Sequence, residues 1–345
     1  PGIAVAQELK ARGHKVLLLI SEKKVDAQAS QKYSDLRFET VRAIAKPPTF
    51  SLKMVSFLWR LRKTIKQCGL IIDREEADVV LGMGGFTSFP PVVAGSKKGL
   101  RTYVHDSNAL PGKANRLTAR WCRKIFLGLE AATSYFSDAE VVVTGTPVRQ
   151  ELMTAPEKAD ALKAFGMDPH GAAVLVMGGS QGAQSLNSLV VDAAKAMPGL
   201  QFIHITGAHD YERVKKIVGN REGYRVVEFC DDMATAYAAC DVAVCRSGAS
   251  SMTELAYVAM PSILVPYPYA ADDHQTANAQ VFADAGAALL RPQNELDAGQ
   301  LVADLTKIVE DDECKNAMSE HAASLAVRDA AARICDVISA DTAAE

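Results

Sequence analysis

Residues 245–254 join the end of a predicted strand to the start of a predicted helix. Residues 242–244 form an apolar strand, residues 247–251 a turn of small residues, and helix-forming residues run over 252–260. Backbone N–H groups at a helix start lack partners within the helix, and with the positive end of the helix dipole they favour phosphate. Glu254 falls in the first turn or so of this helix, near enough to accept hydrogen bonds from both hydroxyls of a ribose. The segment therefore predicts both halves of a nucleoside-diphosphate site.

Two glycine-rich segments also follow predicted strands. Residues 82–87, Gly-Met-Gly-Gly-Phe-Thr, nearly match the dinucleotide-binding fingerprint, and Asp106 follows about 20 residues later, where an NAD-binding acid belongs. Thr87 replaces the third glycine of that fingerprint, however, and residues 178–183 lack its spacing altogether. A dinucleotide oxidoreductase is therefore a competing but weaker interpretation.

The composition is that of a globular protein with room for two domains: 345 residues, 48% of them hydrophobic and 23% charged. The net charge of −3 gives no indication of nucleic-acid binding. Seven cysteines without a Cys-x-x-Cys pair indicate a reducing compartment and argue against a zinc site. No apolar run approaches the roughly 20 residues of a membrane span, so we expect a cytoplasmic protein whose membrane contact is peripheral.

Apolar strand-like runs alternate with helical segments along the chain, the pattern of a parallel sheet covered by helices on both faces. The predicted strands are residues 16–20, 79–81, 102–105, 124–127, 141–144, 173–177, 202–206, 226–228, 242–245 and 262–265. Residues 80–85 and 174–179 both run from a strand into Met-Gly-Gly, which predicts two similar α/β halves with ligands in the cleft between them. We place the first domain at residues 1–146, the second at 147–328 and a C-terminal helix at 329–345, and we leave open whether this helix returns to the first domain.

The chain opens on a predicted helix, residues 1–13, that leads into the first strand. A doubly wound domain normally begins with a strand and a phosphate-facing loop before its first helix. We therefore expect that strand and loop to be missing from this sequence.

Five segments together resemble the MurG family of peptidoglycan glycosyltransferases in their order and spacing. They are residues 145–149, 178–183, 229–233, 245–254 and 272–279, and the resemblance extends from residue 1 to about residue 327. It implies the GT-B fold, in which two Rossmann-like doubly wound domains face a central cleft. It further implies inverting transfer of N-acetylglucosamine from UDP-N-acetylglucosamine to lipid I at the cytoplasmic face of the cell membrane, with no cofactor and no metal.

The resemblance also assigns residues to the donor. Ser180 and Arg149 correspond to positions that meet the nucleotide-sugar, and a planar guanidinium suits diphosphate because it binds two oxygens at once. Cys230 corresponds to the position whose backbone reads the uracil edge, and Gln275 to the glutamine that touches the donor sugar. The phosphate-facing helix start and the ribose acid correspond to Ala249, Ser250, Ser251, Met252, Thr253 and Glu254. The simpler alternatives are a helix cap for the serines, a solvated acid for Glu254 and a salt bridge for Arg149.

The acceptor side is assigned less completely. The loop whose backbone amides we expect to hold the diphosphate of lipid I contains Gly84, Gly85, Thr87 and Ser88. Asn108 corresponds to the asparagine of the family's His-Glu-Gln-Asn segment, which reads His-Asp-Ser-Asn here. Asp106 and His105 are the local candidates for the catalytic base, because a carboxylate or an imidazole can accept the proton of the attacking hydroxyl. The family's other candidate base is a histidine in the loop that would precede residue 1.

Adjacent acids at residues 231–232, 272–273 and 311–312 raise the alternative of a metal site. We predict no metal, because the helix dipole and Arg149 can balance the charge of the leaving diphosphate without a cation.

A basic amphipathic segment follows two prolines at residues 47–48. Its apolar residues are Phe50, Leu52, Met54, Val55, Phe57, Leu58, Trp59 and Leu61, and its cations are Lys53, Arg60, Arg62, Lys63 and Lys66. This composition is typical of a helix that lies on an anionic membrane surface with Trp at the interface, and a polyprenyl-linked acceptor would require such a surface. The alternative is an ordinary domain helix whose apolar stripe belongs to the core.

Three functions remain open at this point. The first is the lipid I glycosyltransferase. The second is another GT-B UDP-sugar enzyme, such as a UDP-N-acetylglucosamine 2-epimerase or a glycolipid glycosyltransferase. The third is a UDP-sugar-binding subunit that needs a partner for catalysis.

Overall fold

The computed structural model describes residues 1–22, 32–42, 53–178 and 183–343. The chain divides into two units, one of residues 1–147 with 327–345 and the other of residues 148–326. Each unit is built on parallel sheets, which confirms the predicted α/β class.

The described strands of the first unit form two sheets. β1 (Leu17–Ile20) pairs in parallel with β2 (Arg37–Thr40), and a second parallel sheet follows the chain order β3 (Val79–Gly82), β4 (Arg101–Asp106), β5 (Lys124–Leu127) and β6 (Glu140–Val143). β4 and β5 are buried along nearly their whole length, as their aliphatic and aromatic residues predict. The sequence analysis does not predict β2, because Phe38 is its only apolar residue.

The helices described before residue 147 are α1 (Gly2–Ala11), α2 (Lys53–Glu75), α3 (Phe89–Lys97) and α4 (Lys113–Thr118). The C-terminal helix, Ala330–Ala343, packs against α1, and Arg12 of α1 lies 2.6 Å from Asp336. The hydroxyl of Tyr103 on β4 donates to Asp341 at 2.9 Å. The last helix therefore shares its core with the sheet of the first unit.

The strands of the second unit are β7 (Ala173–Met177), β8 (Gln201–Ile205), β9 (Tyr224–Val227), β10 (Val242–Cys245), β11 (Ser262–Leu264) and β12 (Ala288–Leu290). They pair in the order β12-β11-β10-β7-β8-β9, and β7, β8 and β10 are buried at every residue. The chain thus starts in the middle of the sheet at β7, extends to β9 on one side, and crosses back to β10 on the other. Ligands of open α/β sheets bind at this kind of topological switch point.

The helices described in the second unit are α5 (Lys158–Ala164), α6 (Gln184–Lys195), α7 (Tyr211–Val218), α8 (Met233–Ala238), α9 (Ala249–Tyr257), α10 (His274–Asp284), α11 (Ala298–Glu310) and α12 (Asp312–Ser324). All ten predicted strands are confirmed, with ends shifted by at most two residues. The sequence analysis misses β12, whose residues Ala-Leu-Leu suit a helix equally well.

Candidate functional site

The predicted donor residues come from several segments: Arg149 precedes β7 in the chain, Cys230 follows β9 and Gln275 lies on α10. Residues 249–254 follow β10, which together with β7 flanks the switch point. These strands pair in parallel with Met177 opposite Cys245, so the segments that follow them begin side by side. After β10 the chain passes through a short turn into α9. After β7 it enters residues 179–182, which are outside the described residues, and the predicted site residue Ser180 is among them.

The first backbone amides of α9 have no hydrogen-bond acceptor among the residues that the structure describes. Gly248 is its extended N-cap residue, with φ −69° and ψ 139°, and no described side chain caps the helix. The first bond of the helix is donated by the Met252 amide to the Gly248 carbonyl at 3.0 Å. The amides of Ala249, Ser250 and Ser251 precede that bond at the positive end of the helix dipole, where they can bind an anion. The alternative that one of the two serines is the N-cap residue is therefore wrong.

Met252 and Thr253, the other members of the predicted phosphate-facing set, support the helix with their side chains. Met252 is 2% exposed and packs in the core of the second unit. The Thr253 hydroxyl donates to the Ala249 carbonyl at 2.9 Å. A phosphate at this helix start would therefore meet the backbone of residues 249–251.

Glu254 is the sixth residue of α9 and lies in its second turn, slightly beyond the predicted first turn or so. The helix begins earlier than the sequence pattern indicates because the alanine and serines of the predicted turn tolerate helical backbone angles. The carboxylate is largely buried: its Oε1 accepts from Nε and Nη2 of Arg149 at 3.2 and 2.9 Å, and its Oε2 accepts from the hydroxyl of Tyr237 at 2.9 Å. The groups assigned to diphosphate and ribose thus bind each other in this structure.

Gln275 lies in the first turn of α10 and fixes the turn after β10. Its carbonyl accepts from the hydroxyl of Ser247 at 2.8 Å, and Asn278 Nδ2 donates to the Ser247 carbonyl at 3.1 Å. The side-chain Oε1 of Gln275 accepts from the Tyr267 amide at 2.9 Å, so its Nε2 is directed to the other side. This nitrogen is the donor that would meet a sugar.

Cys230 lies between β9 and α8 and is half-buried. Its thiol donates to the carbonyl of Asp232 at 3.2 Å, and burial raises its pKa above the usual value for a thiol. The side chain is therefore protonated and engaged with the backbone, which suits a segment whose backbone, rather than its thiol, would read a base.

His105, one of the two predicted bases, is buried at the end of β4 with 1% of its surface exposed. Its Nε2 lies 2.9 Å from the carbonyl of Gly145. Burial lowers the pKa of the ring to about 4, so the imidazole is neutral at pH 7. This environment favours a structural role for His105 over proton transfer.

Asp106, the other predicted base, is 2% exposed. Its Oδ1 accepts from the Asn108 amide and side chain at 2.9 and 3.1 Å, and its Oδ2 accepts from the Gly112 amide and Asn115 Nδ2 at 3.2 and 2.7 Å. These bonds hold the loop after β4 in place and bring the predicted site residue Asn108 to the carboxylate. Its assignment as the base, like that of His105, stays a prediction that these contacts do not favour.

The predicted acceptor loop has a backbone that requires glycine. Gly84 and Gly85 have φ of +92° and +74°, the left-handed region that other residues rarely adopt. Thr87 is exposed, whereas Ser88 is buried and its hydroxyl donates to the Gly84 carbonyl at 2.8 Å, which closes the loop. The sequence analysis misses Asn115, whose Nδ2 lies 3.2 Å from the position of a Cβ on residue 84. An asparagine within a helix carries no signal that marks it for this contact.

Two of the adjacent acids that raised the alternative of a metal site are helix caps. Asp232 and Asp311 cap α8 and α12 by accepting from the amides of Thr235 and Cys314. Within residues 1–22, 32–42, 53–178 and 183–343, no group of three His, Cys, Asp or Glu side chains is placed to hold a metal ion.

Comparison with known proteins shows the family. The Glycosyltransferase family 28 N-terminal domain matches residues 1–127, and the Glycosyltransferase family 28 C-terminal domain matches residues 173–334. A Shewanella frigidimarina (strain NCIMB 400) protein named UDP-N-acetylglucosamine--N-acetylmuramyl-(pentapeptide) pyrophosphoryl-undecaprenol N-acetylglucosamine transferase is 36% identical over 98% of this chain and 92% of its own. The chain belongs to glycosyltransferase family 28. A Myxococcus xanthus (strain DK1622) protein of the same name is 34% identical to this family 28 chain, over 98% of the chain and 88% of its own.

Solved structures share the fold of this family 28 chain. The crystal structure of Acinetobacter baumannii MurG matches with a TM-score of 0.77 at 24% identity, covering 98% of this chain and 95% of that one. A UDP-GlcNAc 2-epimerase from Neisseria meningitidis bound to UDP-GlcNAc matches with a TM-score of 0.70 at 16% identity, covering 97% and 94%. The predicted GT-B fold, glycosyltransferase class and family resemblance are confirmed. The fold alone does not distinguish a transferase from an epimerase.

Proposed function

We propose that this chain transfers N-acetylglucosamine from UDP-N-acetylglucosamine to the 4-hydroxyl of the N-acetylmuramoyl sugar of lipid I, giving lipid II for peptidoglycan synthesis. Relatives that bear the name of this transferase support the proposal. The observation that carries it is the pairing of Arg149 with Glu254 on α9, the helix whose first amides follow β10 at the switch point of a parallel sheet. Because lipid II is used to build the peptidoglycan wall, the reaction contributes to cell shape and cell division.

The second unit, residues 147–328 by our assignment, binds the donor. The diphosphate lies at the start of α9 and against Arg149, the ribose on Glu254, and the uracil on the backbone at Cys230. Ser180 and Gln275 meet the sugar. This arrangement matches each part of the donor with a group of suitable chemistry: backbone amides and a guanidinium for the diphosphate, a carboxylate for the hydroxyls, and an amide for the sugar.

The reaction is a single displacement at C1 of the donor sugar. The acceptor oxygen bonds to C1 while the bond from C1 to the diphosphate oxygen breaks, which inverts the configuration at C1. The electron pair of that bond leaves with UDP, and the hydroxyl proton passes to a base. Charge that develops on the leaving diphosphate is stabilised by Arg149 and by the amides of residues 249–251, which stand in place before the bond breaks.

The first unit, residues 1–146 with the C-terminal helix 329–345 by our assignment, binds the acceptor and the membrane. The two glycines at the tip of the acceptor loop allow its backbone to approach a diphosphate closely. The loop leads directly into α3, whose buried Phe89 and Pro90 fix its position.

α2 supports membrane contact through apolar side chains that the fold leaves exposed. Val55, Leu58 and Trp59 are exposed by 75%, 55% and 66%, whereas Phe57 is buried. Lys63 lies 5.6 Å from the ring centroid of Trp59. Phe50, Leu52 and the Lys53 side chain are outside the described residues. No helix that the structure describes is long and apolar enough to cross a membrane.

α2 therefore combines both interpretations of its sequence: Phe57 belongs to the core, and the neighbouring apolar side chains face outward beside exposed cations. An apolar patch of this kind marks an interaction surface. We infer that the chain lies on the anionic cytoplasmic face of the cell membrane through this side of α2.

Reversing the charges of Arg60, Arg62 and Lys63 to Glu is expected to weaken binding to anionic vesicles by more than about a hundredfold. Each basic residue near such a surface contributes about 1 kcal/mol, so three account for about 3 kcal/mol. Sedimentation with vesicles of phosphatidylglycerol and phosphatidylcholine measures the loss.

A control variant reverses three exposed lysines of the second unit and has the same net charge: Lys163, Lys195 and Lys216. It is expected to retain vesicle binding. If both variants lost vesicle binding equally, or if the unchanged protein did not bind vesicles, α2 would be an ordinary domain helix without a role in membrane contact.

The proposed function is tested by incubating the protein with UDP-N-acetylglucosamine labelled in the sugar and a lipid I analogue. Label in a lipid II product is the expected result. Free N-acetylmannosamine formed without acceptor would identify an epimerase, and donor binding without transfer until a partner is added would identify a binding subunit. NADH binding in place of UDP binding would restore the dinucleotide interpretation.

A further inference from the structure

Tyr237 contacts the predicted ribose acid from inside the core of the second unit. It lies on α8, is 2% exposed, and donates its hydroxyl hydrogen to Glu254 Oε2 at 2.9 Å. We propose that Tyr237 is a positioning residue for donor recognition, which holds one oxygen of Glu254 so that the other accepts hydrogen bonds from the ribose of a nucleoside diphosphate. This inference rests on the proposed function.

The two oxygens of the Glu254 carboxylate have different partners. Oε2 is bound by the sealed hydroxyl of Tyr237, whereas Oε1 is bound by Arg149, whose side chain is 34% exposed. A bound ligand can therefore contact Arg149, which is partly exposed, but not Tyr237, which is buried. When Arg149 turns to the diphosphate, Oε1 becomes available to the ribose, and the bond to Tyr237 keeps the carboxylate in place.

The hydroxyl of Tyr237 is suited to a permanent bond. Burial raises the pKa of Tyr237 well above its ordinary value, and the neighbouring Glu254 carboxylate raises it further, so the hydroxyl keeps its proton. Among the described residues, the hydroxyl also contacts the Met177 sulfur at 3.8 Å, which is only a weak acceptor. The carboxylate is therefore the main partner that satisfies this buried hydroxyl, and losing it would leave the group unsatisfied.

α8 also connects Tyr237 to the segment expected to read the base. Asp232 caps the helix by accepting from the Thr235 amide at 3.1 Å, and Cys230 lies two residues before that cap. The same short element therefore places both the backbone at Cys230 and the hydroxyl of Tyr237. Recognition of the base and of the pentose would thus depend on one rigid connection.

Replacing Tyr237 with Phe is expected to raise KM for UDP-N-acetylglucosamine, and Kd for UDP, by about three- to tenfold, the range for losing the preorganisation of one side chain. kcat is expected to stay unchanged, because a ribose contact binds ground state and transition state alike. For 2′-deoxy-UDP and 3′-deoxy-UDP the affinity is expected to fall less, since each lacks a hydroxyl that Glu254 would bind. Isothermal titration calorimetry of the three ligands measures the difference.

Tyr224→Phe is the matched control. It removes the phenol hydroxyl of a half-buried tyrosine of the second unit, one that lies 2.8 Å from His204 Nδ1, and it leaves Glu254 untouched. This variant is expected to retain the KM and the ligand preference of the unchanged protein. A thermal unfolding scan of both variants separates loss of stability from loss of recognition.

Equal loss of affinity for UDP and both deoxy analogues, or no loss for any, would overturn the inference. If Tyr237→Phe does not fold, 3-fluorotyrosine at position 237 replaces it, and its fluorine resonance is expected to shift when UDP is added. No shift would likewise overturn the inference. The unchanged protein must bind UDP in all these measurements; failure there would contradict the proposed function itself.

Discussion

Replacing Arg149 with Ala is expected to lower kcat for sugar transfer by about a hundredfold to a thousandfold, the loss typical when one preorganised donor to a developing anion is removed. The guanidinium carries a fixed positive charge and can bind two diphosphate oxygens at once as UDP leaves. Its side chain is 34% exposed, and its Nε and Nη2 donate to Oε1 of Glu254 at 3.2 and 2.9 Å. Initial rates at saturating donor measure the effect. Arg149→Lys keeps the charge without the planar pair of donors, and it is expected to retain only part of the kcat that Arg149→Ala loses.

Arg291→Ala is the control for the structural cost of this change. Arg291 binds Asp304 through Nε and Nη2 at 2.7 and 2.8 Å, and its exposure of 32% matches the 34% of Arg149. Both variants lose an arginine-carboxylate pair of the second unit, but only one loses the proposed contact to the diphosphate. If Arg149→Ala retained its kcat and only lost stability as Arg291→Ala does, Arg149 would be a salt-bridge residue and nothing more.

Replacing Glu254 with Gln is expected to weaken donor binding by about 1.5–3 kcal/mol, the range for hydrogen bonds to charged groups. This corresponds to a loss of roughly tenfold to a hundredfold in affinity. Gln keeps the shape of the side chain and still accepts from Tyr237, whereas Ala would leave that buried hydroxyl unsatisfied and mix stability with recognition. Titration with UDP measures the change.

Asp304→Asn is the matched control for Glu254→Gln. It makes the same change from carboxylate to amide beside an arginine of the same unit, and it is expected to leave UDP affinity unchanged. An unaltered affinity in Glu254→Gln would contradict the ribose role. So would an equal loss of affinity for UDP and for its deoxy analogues.

The architecture follows from local sequence patterns because parallel strands that are buried on both faces are mostly apolar. β5, β7 and β10 are predicted with the bounds that the structure has, and the helices between strands account for the right-handed crossovers of an α/β sheet. β2 and β12 are missed because they are short and carry little of this pattern. The start of α9 is placed three residues too late for a related reason: Gly248, Ala249 and the serines form a turn or a helix with nearly equal ease.

The fold class, the family and the set of residues from which a donor site can be built are predictable from the sequence, because these depend on local periodicity and on motifs at fixed spacing. How those residues meet depends on the packing of distant segments. Arg149 and Glu254 are 105 positions apart, and they meet where the turn after Arg149, residues 150–154, packs against α8, the helix that carries the hydroxyl of Tyr237. The burial of His105 and Asp106 was decided in the same way, since Gly145 and Asn115, which bind them, lie 40 and 9 positions further along the chain.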